Sequence, residues 1–598
     1  MPNHQLSAQD AQFLFLETDN NLGYVTGIQV FEPTRGKAKA NSLETFLEHV
    51  QSRLNVSPIF TQRLQKVPFE LDFPYWVTDE YFDLKSHVSS ISLPKSATWS
   101  DFREIVGRFH SRPLNMQRPL WEMLLIEGVG HIEGFAAGSF AVASKFHHCA
   151  IDGTSGVRVM AALTDIDAKG TPVFPVPEKP PAPIKPLSWK QMMSNAARSN
   201  ISSPVKLASS LLSAYPMVVP ALRRAIAGGD EEHSSEVAET RFNANTSPHK
   251  VFDGTAFDLA DFKKIRTLIE GSTINDVVLA ICSGGLRNYL KHHKELPKES
   301  LAACAPINVR AKTGKQKNAN EVSGNNITAM NISLFTQESD PVIRLARIHR
   351  LASESKAGKA GLSARLMTDI SKHIPGFTLS MATRMLVRSG NVSKMVNTFI
   401  SNVPGPQMPV YLNGAKCTHN YGMAPLADGM GLFIATPSYN GKMYFSITST
   451  KEILPDIGFF ITCLQEAFNE LLSFAEKAAS QEKPKAKAAA KKAPAAKKTV
   501  AKKTTRRTAT KTTAKAVKDS AAPTKKKAPA RKPTAGKKKP ETAKEEAPLK
   551  PKADTEQTAV ETAAAQTPEP AQAEANSRPE TNAVTNEAAA PAEEKATP

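Results

Sequence analysis

The amino-acid sequence predicts a mixed α/β (α+β) fold followed by a disordered C-terminal tail. Segments that alternate with period 2, as strands do, occur between segments with apolar residues at helical spacing up to about residue 478. From residue 479 onward, Lys, Ala, Pro and Thr dominate without apolar periodicity, so this part cannot bury a core. The chain of 598 residues is 41% apolar, which is enough for sizeable cores in two or three domains.

The first elements are predicted from local signals. Leu6–Leu14 has the pattern of a capped short helix, and Tyr24–Phe31 that of a strand. Apolar residues at helical spacing predict a second helix over Ser42–Leu54. The first 168 residues therefore contain both kinds of element.

The second half starts near residue 251 and also mixes helices with strands. The predicted elements are a helix over Leu259–Leu268, a helix capped by Thr273, strands at Pro306–Arg310 and Val396–Ile400, a turn at Ser438–Gly441 and a last helix that ends near Ala478. We expect this half to span residues 251–478.

Residues 169–250 connect the two halves. They begin with a proline-rich stretch that reads as a semi-rigid linker. Leu187–Gly228 follows with basic, amphipathic helical character. Such a segment either lies on an anionic lipid surface or packs against its own domain.

The net charge of +19 is concentrated in the tail, residues 479–598. Residues 481–550 contain 24 Lys or Arg and 5 Asp or Glu, whereas residues 551–598 contain 3 and 9. We expect the basic block to bind nucleic acid or an anionic surface, or to be only a solvated extension.

Cysteine usage and the absence of apolar runs indicate the compartment. The five cysteines are scattered with no C-x-x-C pair and no metal-ligand spacing, which favours reduced thiols and predicts no metal site. The N-terminal residues lack a signal-peptide pattern, and no run of about 18 apolar residues occurs. We expect a cytoplasmic protein that contacts membranes only peripherally.

The stretch from Phe140 to Gly156 carries the best candidate for chemistry. It reads as a buried strand followed by the Asp152-Gly153 signal of a tight turn. Along an extended strand His147 and His148 point to opposite faces, so only one enters a given cavity. A neutral imidazole can take a hydroxyl proton near pH 7, and Asp152 could fix the ring or brace the turn by pairing with an arginine.

Two other interpretations of this stretch were considered. A buried histidine before an ordinary Asp-Gly turn would produce much of the same pattern. A Cys-His nucleophile pair is less favoured, because Cys149 faces away from His148 if the chain stays extended.

The string from His147 to Gly153 matches the HHxxxDG motif. It resembles the coenzyme A-dependent acyltransferases, a superfamily that includes chloramphenicol acetyltransferase and the condensation domains of nonribosomal peptide synthetases. Leu6–Leu14, Pro58–Leu64 and Pro119-Leu120-Trp121 precede the motif in the order found in bacterial wax ester synthase/diacylglycerol acyltransferases. Trp121 could equally be only a strand-start anchor.

Motifs in the second half extend this resemblance to about residues 5–475. Asn275-Asp276 resembles the ND motif of the family, although at a helix start its side-chain oxygens could equally serve as caps. A strand that ends in Arg310 and the Ser401–Pro406 stretch also match the pattern of the family.

The resemblance implies a fold and a set of residue roles. The fold would consist of two chloramphenicol-acetyltransferase-like sandwich halves with a channel between them. His148 would be the general base, with His147, Asp152 and Gly153 shaping the site. Asn275 would donate a hydrogen bond to the substrate or the developing oxyanion, and Arg310 would pair with Asp152. These roles complete the list of expected site residues: His147, His148, Asp152, Gly153, Pro119, Leu120, Trp121, Asn275, Asp276 and Arg310.

The sequence therefore predicts an acyl-CoA-dependent O-acyltransferase that forms triacylglycerol or wax ester. Acyl-CoA is the co-substrate, diacylglycerol or a long-chain alcohol is the acceptor, and no further cofactor is expected. Association with the inner membrane or with lipid bodies would be peripheral. The alternatives are a condensation-type enzyme that uses another thioester donor or acceptor, and a lipid-body or nucleoid binder that depends on the tail.

Overall fold

The computed structural model describes residues 5–34, 42–151, 153–201, 237–308, 327–357, 376–388 and 396–490. The helices are α1 (Ala8–Phe15), α2 (Leu43–Arg53), α3 (Trp99–Ser111), α4 (Gly153–Ala162), α5 (189–201), α6 (Leu259–Ile265), α7 (Ile274–His292), α8 (Pro341–Ala357), α9 (Gly376–Arg388) and α10 (Ile457–Ala490). Short 3-10 helices occur at Leu54–Val56, Pro58–Phe60, Pro68–Glu70, Leu84–Ser86, Val129–His131, Arg241–Asn243 and Arg266–Leu268. All of these elements belong to one compact unit, Met1–Lys497.

The strands form two six-stranded sheets and a small hairpin. They are β1 (Tyr24–Glu32), β2 (Gln62–Gln65), β3 (Tyr75–Thr78), β4 (Val88–Ser92), β5 (Trp121–Glu127), β6 (Phe140–His147), β7 (Lys250–Asp258), β8 (Ala302–Asn308), β9 (Ile327–Ser333), β10 (Thr398–Pro404), β11 (Tyr411–Leu412), β12 (Ala415–Met423), β13 (Phe433–Tyr439) and β14 (Lys442–Thr450). The first sheet has the order β11-β12-β1-β6-β5-β4 and the second β7-β14-β13-β10-β8-β9, while β2 pairs with β3. The predicted mixed fold with two sheet-rich halves is confirmed.

The first sheet is completed by a segment from the second half of the chain. β12 pairs antiparallel with β1, with Thr26 opposite Met423 and Glu32 opposite Lys416. We had assigned all of residues 251–478 to the second half. An alternating pattern predicts a strand but not its partner, so this exchange could not be foreseen from the sequence.

Most predicted helix starts are confirmed by their capping contacts. The side chains of Ser7, Ser42 and Thr273 accept hydrogen bonds from the first turns of α1, α2 and α7. A hydroxyl in this position satisfies one of the free N–H groups at a helix start, which is why the signal can be read locally.

Two predicted boundaries are wrong. The strand expected at Val396–Ile400 is β10, which spans Thr398–Pro404 and so includes four of the six residues of the Ser401–Pro406 motif. The last helix continues to Ala490 instead of ending near Ala478. Apart from Ser480 and Pro484, residues 479–490 are Ala, Lys, Gln and Glu, which favour helix. The rest of the predicted disordered tail lies outside the described residues.

The proline-rich connection is tied to the first half. The backbone N–H of Thr78 in β3 donates to the carbonyl oxygen of Ile184 at 2.9 Å. Leu187 exchanges two hydrogen bonds of 2.8 Å with the side-chain amide of Gln65 in β2. The connection therefore follows the surface of the β2–β3 hairpin.

The described part of the Leu187–Gly228 segment packs on its own domain. Met192 and Ala196 of α5 are buried in a cluster with Val67 and Tyr75. Residues 202–236, which hold most of this segment, lie outside the described residues. In the part of the chain that the structure describes, no helix is long and apolar enough to cross a membrane.

Charged and aromatic side chains join the two halves. The Asp253 carboxylate in β7 is 5% exposed and forms an ion pair with Arg103 of α3. It also accepts a 2.9 Å hydrogen bond from the indole N–H of Trp99. The second half is thus fixed against α3, the helix that covers one face of the first sheet.

Candidate active site

The two histidines lie at the end of β6, between β1 and β5. The strand ends at His147, and His148 lies in the turn that follows. The backbone N–H of His147 donates to the carbonyl oxygen of Leu120 at 3.0 Å, and that of His148 to the carbonyl oxygen of Gly23 at 2.7 Å. The segments before β5 and β1 therefore hold the pair from both sides. Strand alternation does not set the direction of His148, contrary to our expectation.

The His147 side chain is fully buried and already engaged. Its Nδ1 accepts a 3.1 Å hydrogen bond from the backbone N–H of Cys149. The proton of the neutral ring is therefore on Nε2, which lies 3.2 Å from Oε1 of Glu17. The edge of the ring also meets Tyr24, with 5.5 Å between ring centroids. His147 thus braces the turn.

Glu17 links the histidine turn to the start of β1. Its Oε1 also accepts a 2.8 Å hydrogen bond from the backbone N–H of Gly23. Any Cβ at Gly23 would lie 2.9 Å from the carbonyl oxygen of Phe13, so only glycine fits there. The sequence analysis missed Glu17, because an acidic residue just beyond a short helix matches no motif by itself.

We expect Glu17→Ala to lower the free energy of unfolding by about 1–3 kcal/mol, because it leaves the buried backbone N–H of Gly23 without its acceptor and removes the carboxylate beside Nε2 of His147. Turnover should fall as well, since Gly23 supports the backbone of His148. Glu17→Gln keeps an acceptor oxygen and should recover most of the stability. Chemical denaturation followed by circular dichroism and an acyl-transfer assay check both variants. If Glu17→Ala is as stable as the unmodified protein, the proposed brace does not exist.

His148 is the histidine that remains accessible. Its side chain is half-buried, and its ring stacks on Phe13 of α1 with 3.9 Å between centroids and an interplanar angle of 13°. Cys149, by contrast, is 3% exposed, and burial raises the pKa of its thiol well above the ordinary value. A neutral buried thiol is a poor nucleophile, which agrees with the low weight we gave to a Cys-His pair.

The Pro119-Leu120-Trp121 motif acts as a structural anchor. Trp121 is fully buried, and its indole N–H donates to the carbonyl oxygen of Phe60 at 3.0 Å. Its ring stacks on His87 with 4.6 Å between centroids. Leu120 supplies the carbonyl oxygen that holds the backbone of His147. These contacts favour the strand-anchor interpretation of Trp121, and through Leu120 the motif supports the histidine turn.

A buried cation lies two residues before His147. The ammonium of Lys145 donates to the carbonyl oxygens of Phe109 at 3.0 Å and Arg112 at 2.7 Å, and lies 3.2 Å from Glu122. Burial lowers the pKa of Lys145 to about 8. Lys145 thereby ties the end of α3 to the strand that carries the histidines.

A small cleft lies where residues of the two halves meet. Its lining includes Asn20, Leu22, His110, Ser111, Pro248 and Lys250. Burial lowers the pKa of His110 to about 3, helped by the charges of Lys145 and Lys250, so His110 is neutral. Since Leu22 directly precedes Gly23, this cleft lies beside the segment that holds His148. The resemblance implied a channel at this boundary.

Asn275 and Asp276 begin α7. The Asp276 carboxylate accepts a 2.9 Å hydrogen bond from the backbone N–H of Thr273 and a 2.8 Å hydrogen bond from Nδ1 of His349. The capping interpretation is thus confirmed for Asp276. Asn275 is half-buried in the first turn of the helix, and its predicted contact with the substrate stays a prediction.

Of three further expected site residues, the structure describes only Gly153. Gly153 opens α4 directly after the histidine turn. Asp152 and Arg310 lie outside the described residues, so their pairing stays a prediction.

A histidine pair held in a turn at the junction of two mixed α/β halves is the arrangement of an acyltransferase with the HHxxxDG motif. The catalytic-domain model of the wax ester synthase/diacylglycerol acyltransferase family matches residues 6–278, and the C-terminal-domain model matches residues 323–472. The chain therefore belongs to the wax ester synthase/diacylglycerol acyltransferase family and is an acyltransferase.

Individual relatives agree with this assignment. The chain is 30% identical over 484 residues to the O-acyltransferase WSD of Acinetobacter baylyi, covering 79% of this chain and 97% of that one. It is 27% identical over 483 residues to a protein of Mycobacterium tuberculosis named a probable diacylglycerol O-acyltransferase, with the same coverage of 79% and 97%.

One solved structure supports the fold. The wax ester synthase/diacylglycerol acyltransferase of Marinobacter aquaeolei VT8 superposes with a TM-score of 0.55 and 24% sequence identity. The match covers 79% of this chain and 100% of that chain. At this level of identity the likeness concerns the fold alone.

Proposed function

We propose that the protein transfers a fatty acyl group from acyl-CoA to the hydroxyl of diacylglycerol or a long-chain alcohol, with His148 as the general base. The observation that carries this proposal is the unequal environment of the two histidines. His147 is fully buried with both ring nitrogens facing protein groups, whereas His148 is half-buried in the turn. The name of the Mycobacterium tuberculosis relative supports diacylglycerol as an acceptor, and the wax ester synthase in the family name supports a long-chain alcohol.

The reaction needs one proton carrier. The imidazole of His148 takes the proton of the acceptor hydroxyl while the oxygen attacks the thioester carbonyl. The tetrahedral intermediate collapses, the carbon–sulfur bond breaks, and the imidazolium returns the proton to the departing thiolate of coenzyme A. The products are an ester and free coenzyme A, without a covalent enzyme intermediate. General-base help of this kind contributes about 10² to 10⁴ in rate.

Other residues would position these groups. Asn275 would donate a hydrogen bond to the substrate or to the developing oxyanion, a role suited to an amide. Asp152 would pair with Arg310 and keep the turn in shape. Glu17 and Leu120, which hold His147, would maintain the direction of the next residue.

The direct test is an assay of purified full-length protein with palmitoyl-CoA and either a diacylglycerol or hexadecanol. Release of coenzyme A is followed with a thiol reagent, and the lipid product by chromatography. We expect ester formation with at least one acceptor. A protein that accepts only a carrier-bound thioester or only an amine would instead be a condensation-type enzyme.

Both proposed acceptors are insoluble in water, so we infer that the enzyme works at the inner membrane or at lipid bodies. The basic block over residues 481–550 would add affinity for an anionic surface or for nucleic acid. Its attraction would be screened by salt, since the Debye length at physiological ionic strength is about 8 Å.

Truncation after Ala490 is expected to retain acyl transfer and to lose most of the salt-sensitive binding to DNA and to anionic vesicles. The physical reason is that this truncation removes 21 of the 24 Lys and Arg residues of residues 481–550, which lie beyond the folded sheets. Binding measured by sedimentation over a range of salt concentrations checks this expectation. A truncated protein that binds DNA as tightly as the full chain would contradict it, and loss of turnover would make the tail part of the enzyme.

A further inference from the structure

Helix α9 carries an apolar stripe on its solvent side. Phe377, Met381 and Met385 are 50%, 54% and 62% exposed. Residues spaced by four lie above one another on a helix, so these side chains form one continuous row. Large apolar side chains gathered in this way, and not scattered singly, mark an interaction surface.

The opposite side of α9 is fixed to the first half. Leu379 and Ser380 are buried, and the Ser380 hydroxyl donates to the Glu70 carboxylate at 3.0 Å. Arg384 forms an ion pair with the same carboxylate at 2.9 Å. A Cβ at Gly376 would come within 2.9 Å of the backbone of Asp72, so the helix starts in close contact with this segment. The stripe is therefore held outward.

Two neighbouring segments carry further exposed apolar side chains. Phe69, next to Glu70, is 79% exposed, and Ile201, at the end of α5, is 78% exposed. The side chain of Asn200 donates to the carbonyl oxygen of Leu71 at 3.2 Å, which brings the end of α5 to the same segment. We call the five exposed apolar residues the apolar face: Phe69, Ile201, Phe377, Met381 and Met385.

Basic side chains surround the apolar face. Arg384 lies on α9 itself, and its hydrogen bond lowers the pKa of Glu70, with a smaller contribution from the charge of Lys66. Lys66 is exposed, and Arg198 is exposed one turn before Ile201. The Glu70 carboxylate is already paired with Arg384. Apolar side chains with a basic rim complement an anionic lipid surface.

The apolar face is also close to the candidate base. Leu379, on the inner side of α9, shares a buried cluster with Phe15, Leu120 and Cys149, and Phe13 packs against that cluster. The ring of Phe13 stacks on His148. One layer of side chains, carried by α1, thus separates α9 from the histidine turn.

We propose that the apolar face docks on an anionic phospholipid surface and so brings that surface, in which the acceptor is dissolved, to the side of the fold that carries the histidine turn. The inference rests on the proposed function for the nature of the acceptor. Phe and Met insert below the headgroups while Lys66, Arg198 and Arg384 remain at headgroup level. A bilayer fits this surface better than a protein groove, because the exposed residues come from three separate segments, beyond the single row on α9, and have basic side chains beside them.

The test uses the full-length double variant Met381→Gln/Met385→Gln and vesicles of phosphatidylcholine and phosphatidylglycerol that contain diacylglycerol. High salt suppresses binding by the tail, so the apolar part is measured separately. We expect vesicle affinity at high salt to fall at least about tenfold, since two apolar side chains no longer leave water. Turnover of the vesicle-embedded acceptor should fall in parallel, while turnover with a short, water-soluble alcohol should not change.

Two control variants make the test specific. Met408→Gln changes a methionine that is 57% exposed but lies between β10 and β11, and it should leave vesicle binding unchanged. Met381→Leu/Met385→Leu keeps the apolar face and should bind like the unmodified protein. Recovery in the leucine variant distinguishes lost docking from a damaged fold.

Several results would overturn the proposal. They are unchanged vesicle affinity in the glutamine variant, an equal loss in Met408→Gln, or a change of oligomeric state without a change in vesicle binding, which would make the face a contact between two copies. Failure of the proposed function looks different. In that case the unmodified protein releases no coenzyme A with either the soluble or the embedded acceptor, whatever its vesicle affinity.

Discussion

Replacing His148 by alanine is expected to reduce ester formation by about 10² to 10⁴ while the protein remains folded. The backbone N–H of residue 148 would still donate to Gly23, so the turn keeps its main-chain support. The substitution removes the stacking of the half-buried ring on Phe13. Release of coenzyme A from palmitoyl-CoA measures the rate, and the thermal unfolding midpoint measures the fold.

The matched control is His147→Ala, which should act mainly on stability. This ring is fully buried, accepts a hydrogen bond from the backbone N–H of Cys149 and faces Glu17. Its removal leaves the N–H of Cys149 unpaired, at a cost of about 1–3 kcal/mol in the free energy of unfolding. The assignment is wrong if the His148 variant stays active while a folded His147 variant has lost its activity.

Replacing Trp121 by alanine is expected to destabilise the protein by about 3–5 kcal/mol. The change empties a fully buried site, removes the hydrogen bond to Phe60 and leaves His87 without its stacking partner. Trp121→Phe should recover most of the packing and lose only the hydrogen bond, which is worth about 1 kcal/mol. Denaturant unfolding followed by circular dichroism checks both values. If the alanine variant is inactive yet as stable as the unmodified protein, Trp121 contacts the substrate instead of anchoring the strand.

Features that depend on neighbouring residues in the chain could be predicted from the sequence. Thr273 was recognised as a helix cap because the cap and its acceptor lie three residues apart. The turn after His147 was predicted because the Asp152-Gly153 pair follows an apolar strand. The unequal accessibility of the two histidines was also expected. Its cause is different, because His148 lies beyond the strand and its ring is held by stacking on Phe13, so strand alternation does not set its direction.

Features that depend on distant packing could not be predicted in this way. Glu17 reaches His147 across 130 positions, and no pattern in the sequence links them. In the sequence, α9 has the pattern of an ordinary amphipathic helix, because a sequence does not show which apolar side chains are buried by other parts of the fold. The contact between Asp276 and His349 is of the same kind, since 73 positions separate the two residues.

The pairing of β12 with β1 affects the order of events during synthesis. β1 ends at Glu32, and its partner begins only at Ala415. At about 5–20 residues per second, the ribosome needs about 20–80 s for the roughly 380 residues between them. During this time one edge of β1 has no partner, and an open strand edge can pair with other nascent chains. We therefore expect ribosome-bound fragments that stop before Ala415 to aggregate or to be held by chaperones, and high-level expression to be limited by this interval.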